Sequence, residues 1–153
     1  MQLHHPVIHP DFVITSATGE EQLLVEVKTW MPTPAQAQEL HRRYGYPDCY
    51  FLLATPDRMA LWLPTQHEQP GASSTYAVDA SVVLANYLTI ERHPLQALTG
   101  QELSLVISSW LGSVMFKPAR TLLDMPGQAW LVESGLHERI YRGYIHRERG
   151  LVE

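Results

Sequence analysis

Two carboxylates and one ammonium group stand at a spacing suited to phosphoryl chemistry: Asp11, and the triplet Glu26-Val27-Lys28. Alternate side chains along a strand share a face, so in an extended segment Glu26 and Lys28 project together while Val25 and Val27 turn into the core. Asp11 and Val13 share a face in the same way, opposite Phe12 and Ile14. With a turn centred near Gly19, Asp11 lies eight residues before it and Val27 eight after, which sets Asp11 across from Glu26 and Lys28. Paired carboxylates are the hard oxygen ligands that Mg²⁺ prefers, and Mg²⁺ keeps positions for water and phosphate oxygens. Such an ion polarises a phosphoryl oxygen and helps to generate hydroxide, while a lysine positions the nucleophile or stabilises charge in the transition state. Asp11 and Glu26 are therefore the candidate metal ligands, and Lys28 is the candidate catalytic cation. The bland reading of the same three residues is a solvated hairpin with surface ion pairs worth ~0 to 1 kcal/mol.

The elements that must hold these side chains are legible around them. Residues 11–14, Asp-Phe-Val-Ile, and 22–28, Gln-Leu-Leu-Val-Glu-Val-Lys, are short and rich in β-branched residues, and they flank a polar turn at Gly19. This predicts a hairpin. After Pro32 and Pro34, residues 35–44 have a helix-forming composition and run up to Gly45. Residues 50–54 and 59–63 predict two further strands, joined by Thr55-Pro56-Asp57-Arg58, a turn with Pro at its second position. The order strand, strand, helix, strand, strand predicts an α/β protein with a mixed β-sheet flanked by helices.

Residues 64–74 read as a loop, and beyond it the pattern turns helical. Thr99-Gly100-Gln101-Glu102 matches a capping box, and Leu103, Val106, Ile107, Trp110, Leu111 and Val114 follow one helix face over 101–116. Shorter helical segments are expected at 130–134, stopped by Gly135, and at 136–141. The chain thus reads as one domain over 1–153, with residues 1–63 as the sheet core and 64–153 as a loop and a helical C-terminal half packed on it.

Taken together, His9-Pro10-Asp11-Phe12-Val13-Ile14, Leu23-Leu24-Val25-Glu26-Val27-Lys28, the helix 35–44 and the strand 50–54 resemble the PD-(D/E)XK nuclease superfamily, the restriction-endonuclease-like fold. The resemblance covers about the first 63 residues. It implies Mg²⁺, with Mn²⁺ able to substitute, held by Asp11 and Glu26 with the Val27 carbonyl as a further ligand. It also implies Lys28 at the attacking water and DNA as the partner. Only two lysines occur in the chain, and Glu26-Val27-Lys28 is the one place where an acid stands two residues before a lysine. Members of the superfamily usually carry a helix ahead of the first motif, often with a Glu that joins the site, whereas ten residues precede Asp11 here. A helix from the C-terminal half, a second copy of the chain or a partner protein is expected to stand in for it. Gln38 is the accessory candidate in place of a clean Gln-x-x-x-Tyr motif.

Other candidates border the motif. His9 shares a strand face with Asp11 and, with His4 and His5, has the chemistry of a transition-metal ligand or of a group that tunes the site. Arg42 and Arg43 suit the negative end of the helix dipole and could also contact phosphates. Trp30, just past Lys28, could stack on a base. Trp62, Trp110 and Trp130 sit in apolar patterns and are expected in the core. Arg139, Arg142, Arg147 and Arg149 form a basic tail for which a solvated face is the simpler reading.

Composition bounds these readings. The 153 residues carry 11 Lys+Arg against 16 Asp+Glu, a formal charge of -5, which argues against a broad basic nucleic-acid coat. Any nucleic-acid activity must be local. The acidity is uneven: residues 1–116 hold 5 basic and 11 acidic side chains, residues 117–153 hold 6 and 5. The single Cys49 cannot close an internal disulfide, and no apolar run reaches the ~20 residues of a membrane span. No secretory signal pattern opens the chain, so a cytoplasmic, reducing setting without membrane contact is expected. Serine-hydrolase, phosphate-loop and zinc-finger motifs do not occur.

Overall fold

The computed structural model describes residues 10–44, 48–65, 73–88 and 94–147. The hairpin forms as strand β1 (Phe12–Thr15) and strand β2 (Glu21–Val27), turned at Gly19, whose φ of 90° is the left-handed conformation that glycine adopts without strain. Helix α1 (Pro34–Tyr44) carries the chain over the sheet to β3 (Tyr50–Ala54), which runs parallel to β2, and β4 (Arg58–Trp62) returns antiparallel. The turn between β3 and β4 is tied by Thr55, whose hydroxyl accepts from the Arg58 and Asp57 amides at 3.0 and 3.3 Å.

The second half differs from expectation in one respect: it is not all helical. Residues Tyr76–Asp79 form β5, and Tyr144–Arg147 form β6, giving a six-stranded mixed sheet in the order β5-β4-β3-β2-β1-β6. Both are four-residue edge strands: β6 is exposed at three positions, and β5 alternates over only two half-buried residues, Tyr76 and Val78, too short a signal by which to read a strand. Between them lie α2 (Ala80–Val83), α3 (Gly100–Val114), α4 (Ala119–Asp124), α5 (Ala129–Glu133) and α6 (Leu136–Ile140). The expected capping box starts α3: the Glu102 amide donates to the Thr99 hydroxyl at 3.1 Å and the Thr99 amide to the Glu102 carboxylate at 2.9 Å. Gly135, φ 82°, ends α5 as expected.

Both faces of the sheet are covered. Phe12, Ile14, Leu23, Val25, Leu52 and Leu61 face α2 to α6 in the larger core, which buries Trp110 and Trp130. Val13, Leu24, Phe51, Leu53 and Trp62 face α1. Burial on both sides explains why β2 and β3 read as continuous apolar runs. It also fixes the environment of Glu26, which by strand parity lies on the α1 face with Leu24 and Val13. Helix α3 packs against β2 and β6 on the opposite face.

Candidate functional site

Pairing of Phe12 with Val25 places Asp11 opposite Glu26 at the end of the β1–β2 ladder. The next backbone pair in register would be Pro10 with Val27, and proline has no N–H to give it. The Asp11 side chain takes over: its Oδ2 accepts from the Val27 amide at 2.7 Å. Within a strand one residue's N–H and C=O point to the same edge, so the Val27 carbonyl faces the Asp11 side with no donor available from Pro10. Pro10-Asp11 therefore ends the ladder and orients a carboxylate in a single step.

Glu26 is the anomalous group. It is 6 % exposed, its Oε2 pairs with Lys28 Nζ at 3.1 Å, and its Oε1 is buried with no hydrogen-bond partner. Burial, then the nearby negative charge of Asp11, push its carboxyl from the ordinary 4.5 up to about 7, against the opposing pull of Lys28. An orphaned buried carboxylate oxygen costs on the order of 1–3 kcal/mol or more, which structures rarely tolerate without a reason. A hard divalent cation would relieve both the orphaned oxygen and the repulsion between the two acids, and the oxygen donors present are those Mg²⁺ takes. Asp11, Glu26 and the Val27 carbonyl therefore fit such an ion. Among the described residues no cluster of three or more His, Cys, Asp or Glu side chains gathers at one point.

Beside this group a groove of about 350 Å³ runs between the end of β2 and one flank of α1. Lys28 and Trp30 line it from one side and Ala35, Gln36, Leu40 and Arg43 from the helix. Helical spacing explains the selection. α1 faces the sheet with Ala37, Leu40, His41 and Tyr44, and His41 stacks on Trp62 of β4 at 5.0 Å, so that flank leans toward β4. The groove residues occupy the opposite flank, toward β1 and the carboxylates.

The same spacing separates the candidates on α1. Gln38 lies on the His41 flank, one turn before it, and does not line the groove. Arg42 shares that side and is engaged with Glu39, to which its Nε and Nη2 donate at 3.0 and 2.6 Å. Arg43 and Trp30, by contrast, meet Lys28 in the groove. His9 lies outside the described residues, as do His4, His5 and Arg149. The tail arginines Arg139, Arg142 and Arg147 lie over the rings of Tyr50, Tyr141 and Phe12 at 5.4, 5.5 and 5.8 Å.

Two further residues stand near the site, Glu39, which was not singled out from sequence, and Tyr44, which is spaced wrongly from Gln38 for a Gln-x-x-x-Tyr motif. Glu39 also lines the groove, and its spacing to Arg42 and Arg43 was the available signal. Tyr44, the last residue of α1, is buried, and burial, reinforced by the charges of Glu26 and Asp11, pushes its hydroxyl up to about 12. Cys49 is buried as expected, its thiol pushed up to about 11 chiefly by burial, which leaves it unreactive. No helix among the described residues is long and apolar enough to cross a membrane. Compared with protein-family models, curated proteins and solved structures, the chain finds no match.

Proposed function

We propose that the protein is a Mg²⁺-dependent, nuclease-like phosphodiesterase acting on DNA, built on a restriction-endonuclease-like arrangement of hairpin, crossover helix and parallel strand. The observation that carries the reading is the buried, unpartnered Oε1 of Glu26 beside Asp11 and Lys28. Asp11, Glu26 and the Val27 carbonyl would hold the ion, with Mn²⁺ able to substitute. When bound, the ion supplies a Lewis acid for the phosphoryl oxygen and lowers the pKa of a water molecule.

The chain's own residues account for the rest. Lys28 Nζ, held at 3.1 Å by Glu26, carries a positive charge to the mouth of the groove, where it would orient the attacking water and offset charge developing on phosphate. The Asp11–Val27 hydrogen bond fixes one acid to the strand that carries the other, so the two carboxylates keep their separation as substrate enters. Arg43 would meet a flanking phosphate from across the groove.

A second reading, a catalytically inactive scaffold or protein-interaction module on the same fold, draws on one observation: no third ligating side chain joins Asp11 and Glu26 among the described residues. Purified protein with Mg²⁺ or Mn²⁺, offered several forms of DNA, separates the two. Cleavage is expected in the wild type and a drop of at least about 100-fold in Asp11→Ala and Lys28→Ala. Cleavage undiminished in both variants would remove the catalytic assignment, and a folded wild type that cleaves nothing would favour the scaffold.

A further inference from the structure

Three of the four tryptophans are where an indole is most stable: Trp62, Trp110 and Trp130 are 2 %, 0 % and 5 % exposed. Trp30 is 50 % exposed, although it lines a concave groove. The groove has a cation on each side, Lys28 from the β2 end and Arg43 from α1, with the apolar Leu40 and Ala35 between. The one acid lining it, Glu39, is already answered by Arg42 at 2.6 Å and by Arg43 at 3.9 Å. An aromatic face framed by cations is complementary to a ligand in which a flat π-system alternates with anions.

We propose that this groove is a subsite for one unpaired base of a DNA strand, with Trp30 as its stacking platform and Lys28 and Arg43 on the flanking phosphates. In a duplex both faces of each base are covered by its neighbours, so an indole can stack only on a base that is unpaired or drawn out of the helix. A volume of about 350 Å³ lies at the small end of the ~300 to 1,000 Å³ of small-molecule pockets, which suits a single base. The chain's charge of -5 points the same way, because gripping a duplex needs many phosphate contacts whereas a stacked base needs few. The inference rests on the phosphodiesterase reading for the choice of nucleic acid. It goes further in assigning the substrate as single-stranded, and in giving Trp30 a role in specificity.

Fluorescence anisotropy with a labelled single-stranded oligonucleotide, and with the same sequence as a duplex, tests this with Ca²⁺ replacing Mg²⁺. The single strand is expected to bind at least about tenfold more tightly and to quench the emission of the one exposed tryptophan. Trp30→Ala should weaken single-strand binding by about 5- to 150-fold, and Trp30→Phe, which keeps a π-face, should recover most of it. Arg43→Ala should weaken binding and reduce the salt dependence by about one phosphate contact. Equal or tighter duplex binding, unchanged affinity in Trp30→Ala, or no binding to either DNA would overturn the proposal. Its fate separates from that of the nuclease reading. Trp30-dependent binding without Mg²⁺-dependent cleavage would leave the subsite and remove the catalysis, and cleavage indifferent to Trp30 would do the reverse.

Discussion

At the scale of single residues the molecule turns on Glu26, a carboxylate placed where ionisation is costly. Its folded-state pKa of about 7 stands above its ordinary 4.5, so between those values the folded protein holds a proton that the unfolded chain has released. Stability therefore falls as pH rises through that window, and the loss is complete above it. In metal-free protein Glu26→Gln should melt higher than the wild type at about pH 8, each kcal/mol being about 2–4 °C at this chain length, with the gap closing toward about pH 5. Differential scanning fluorimetry in a chelator reads this directly. Mg²⁺ should raise the melting temperature of the wild type and leave that of Glu26→Gln unmoved. A wild type and variant that track each other at every pH would show that the Glu26 site is not strained by its charge. The chemical identity of these residues was plain in the sequence. The missing partner of Oε1 was not, because it depends on what α1 and β1 leave around it.

At the scale of elements the decisive event is closure of the sheet by β6 on β1. Gly143 stands directly before β6, and a Cβ added there would collide with the Thr15 carbonyl oxygen, which is backbone and cannot swing aside. Gly143→Ala should accordingly cost more than about 2 kcal/mol in urea unfolding, at the upper end for one methyl group. Gly112, inside α3, is the control: its added Cβ would meet only Ile145 Cδ1 at 4.0 Å, so Gly112→Ala should stabilise by about 0.5–1 kcal/mol. Equal effects of the two substitutions would mean that β6 docking is not what Gly143 serves. The elements read correctly from sequence, namely the hairpin, α1, β3, β4 and α3, all carry local signals such as apolar periodicity, Gly19 or the Thr99–Glu102 box. The two strands that were missed carry little, being four residues each with only Tyr76 and Val78, or Ile145, packed on the core. In β6 three of four residues are exposed, Arg147 among them, so its side chain keeps the solvated face expected of it while its backbone pairs with Phe12.

At the scale of the whole molecule, the helices on the larger core are joined by a buried polar link. Gln128, 1 % exposed, accepts from the Trp110 indole at 2.8 Å and donates to the Val83 carbonyl at 2.8 Å, tying α3 and α2 at the start of α5. Gln128→Leu keeps much of the volume but leaves a buried donor and a buried acceptor unmet, at about 1–3 kcal/mol each. The urea midpoint should fall with an unchanged slope, and a changed slope would mean that the helices no longer unfold with the sheet. Nothing in the sequence announced this link, since Gln128 reads as an ordinary polar residue. What the sequence determined by itself was the local and periodic: the hairpin, the sharing of one face by Asp11, Glu26 and Lys28, and the helix that follows. Only the tertiary structure decided that Glu26 is buried, that Trp30 and Arg43 share a groove with Lys28 while Gln38 and Arg42 do not, and that β6 closes the sheet. The reason is physical. Strand parity and turn chemistry act between near neighbours, whereas burial, orphaned atoms and grooves depend on which distant segments meet.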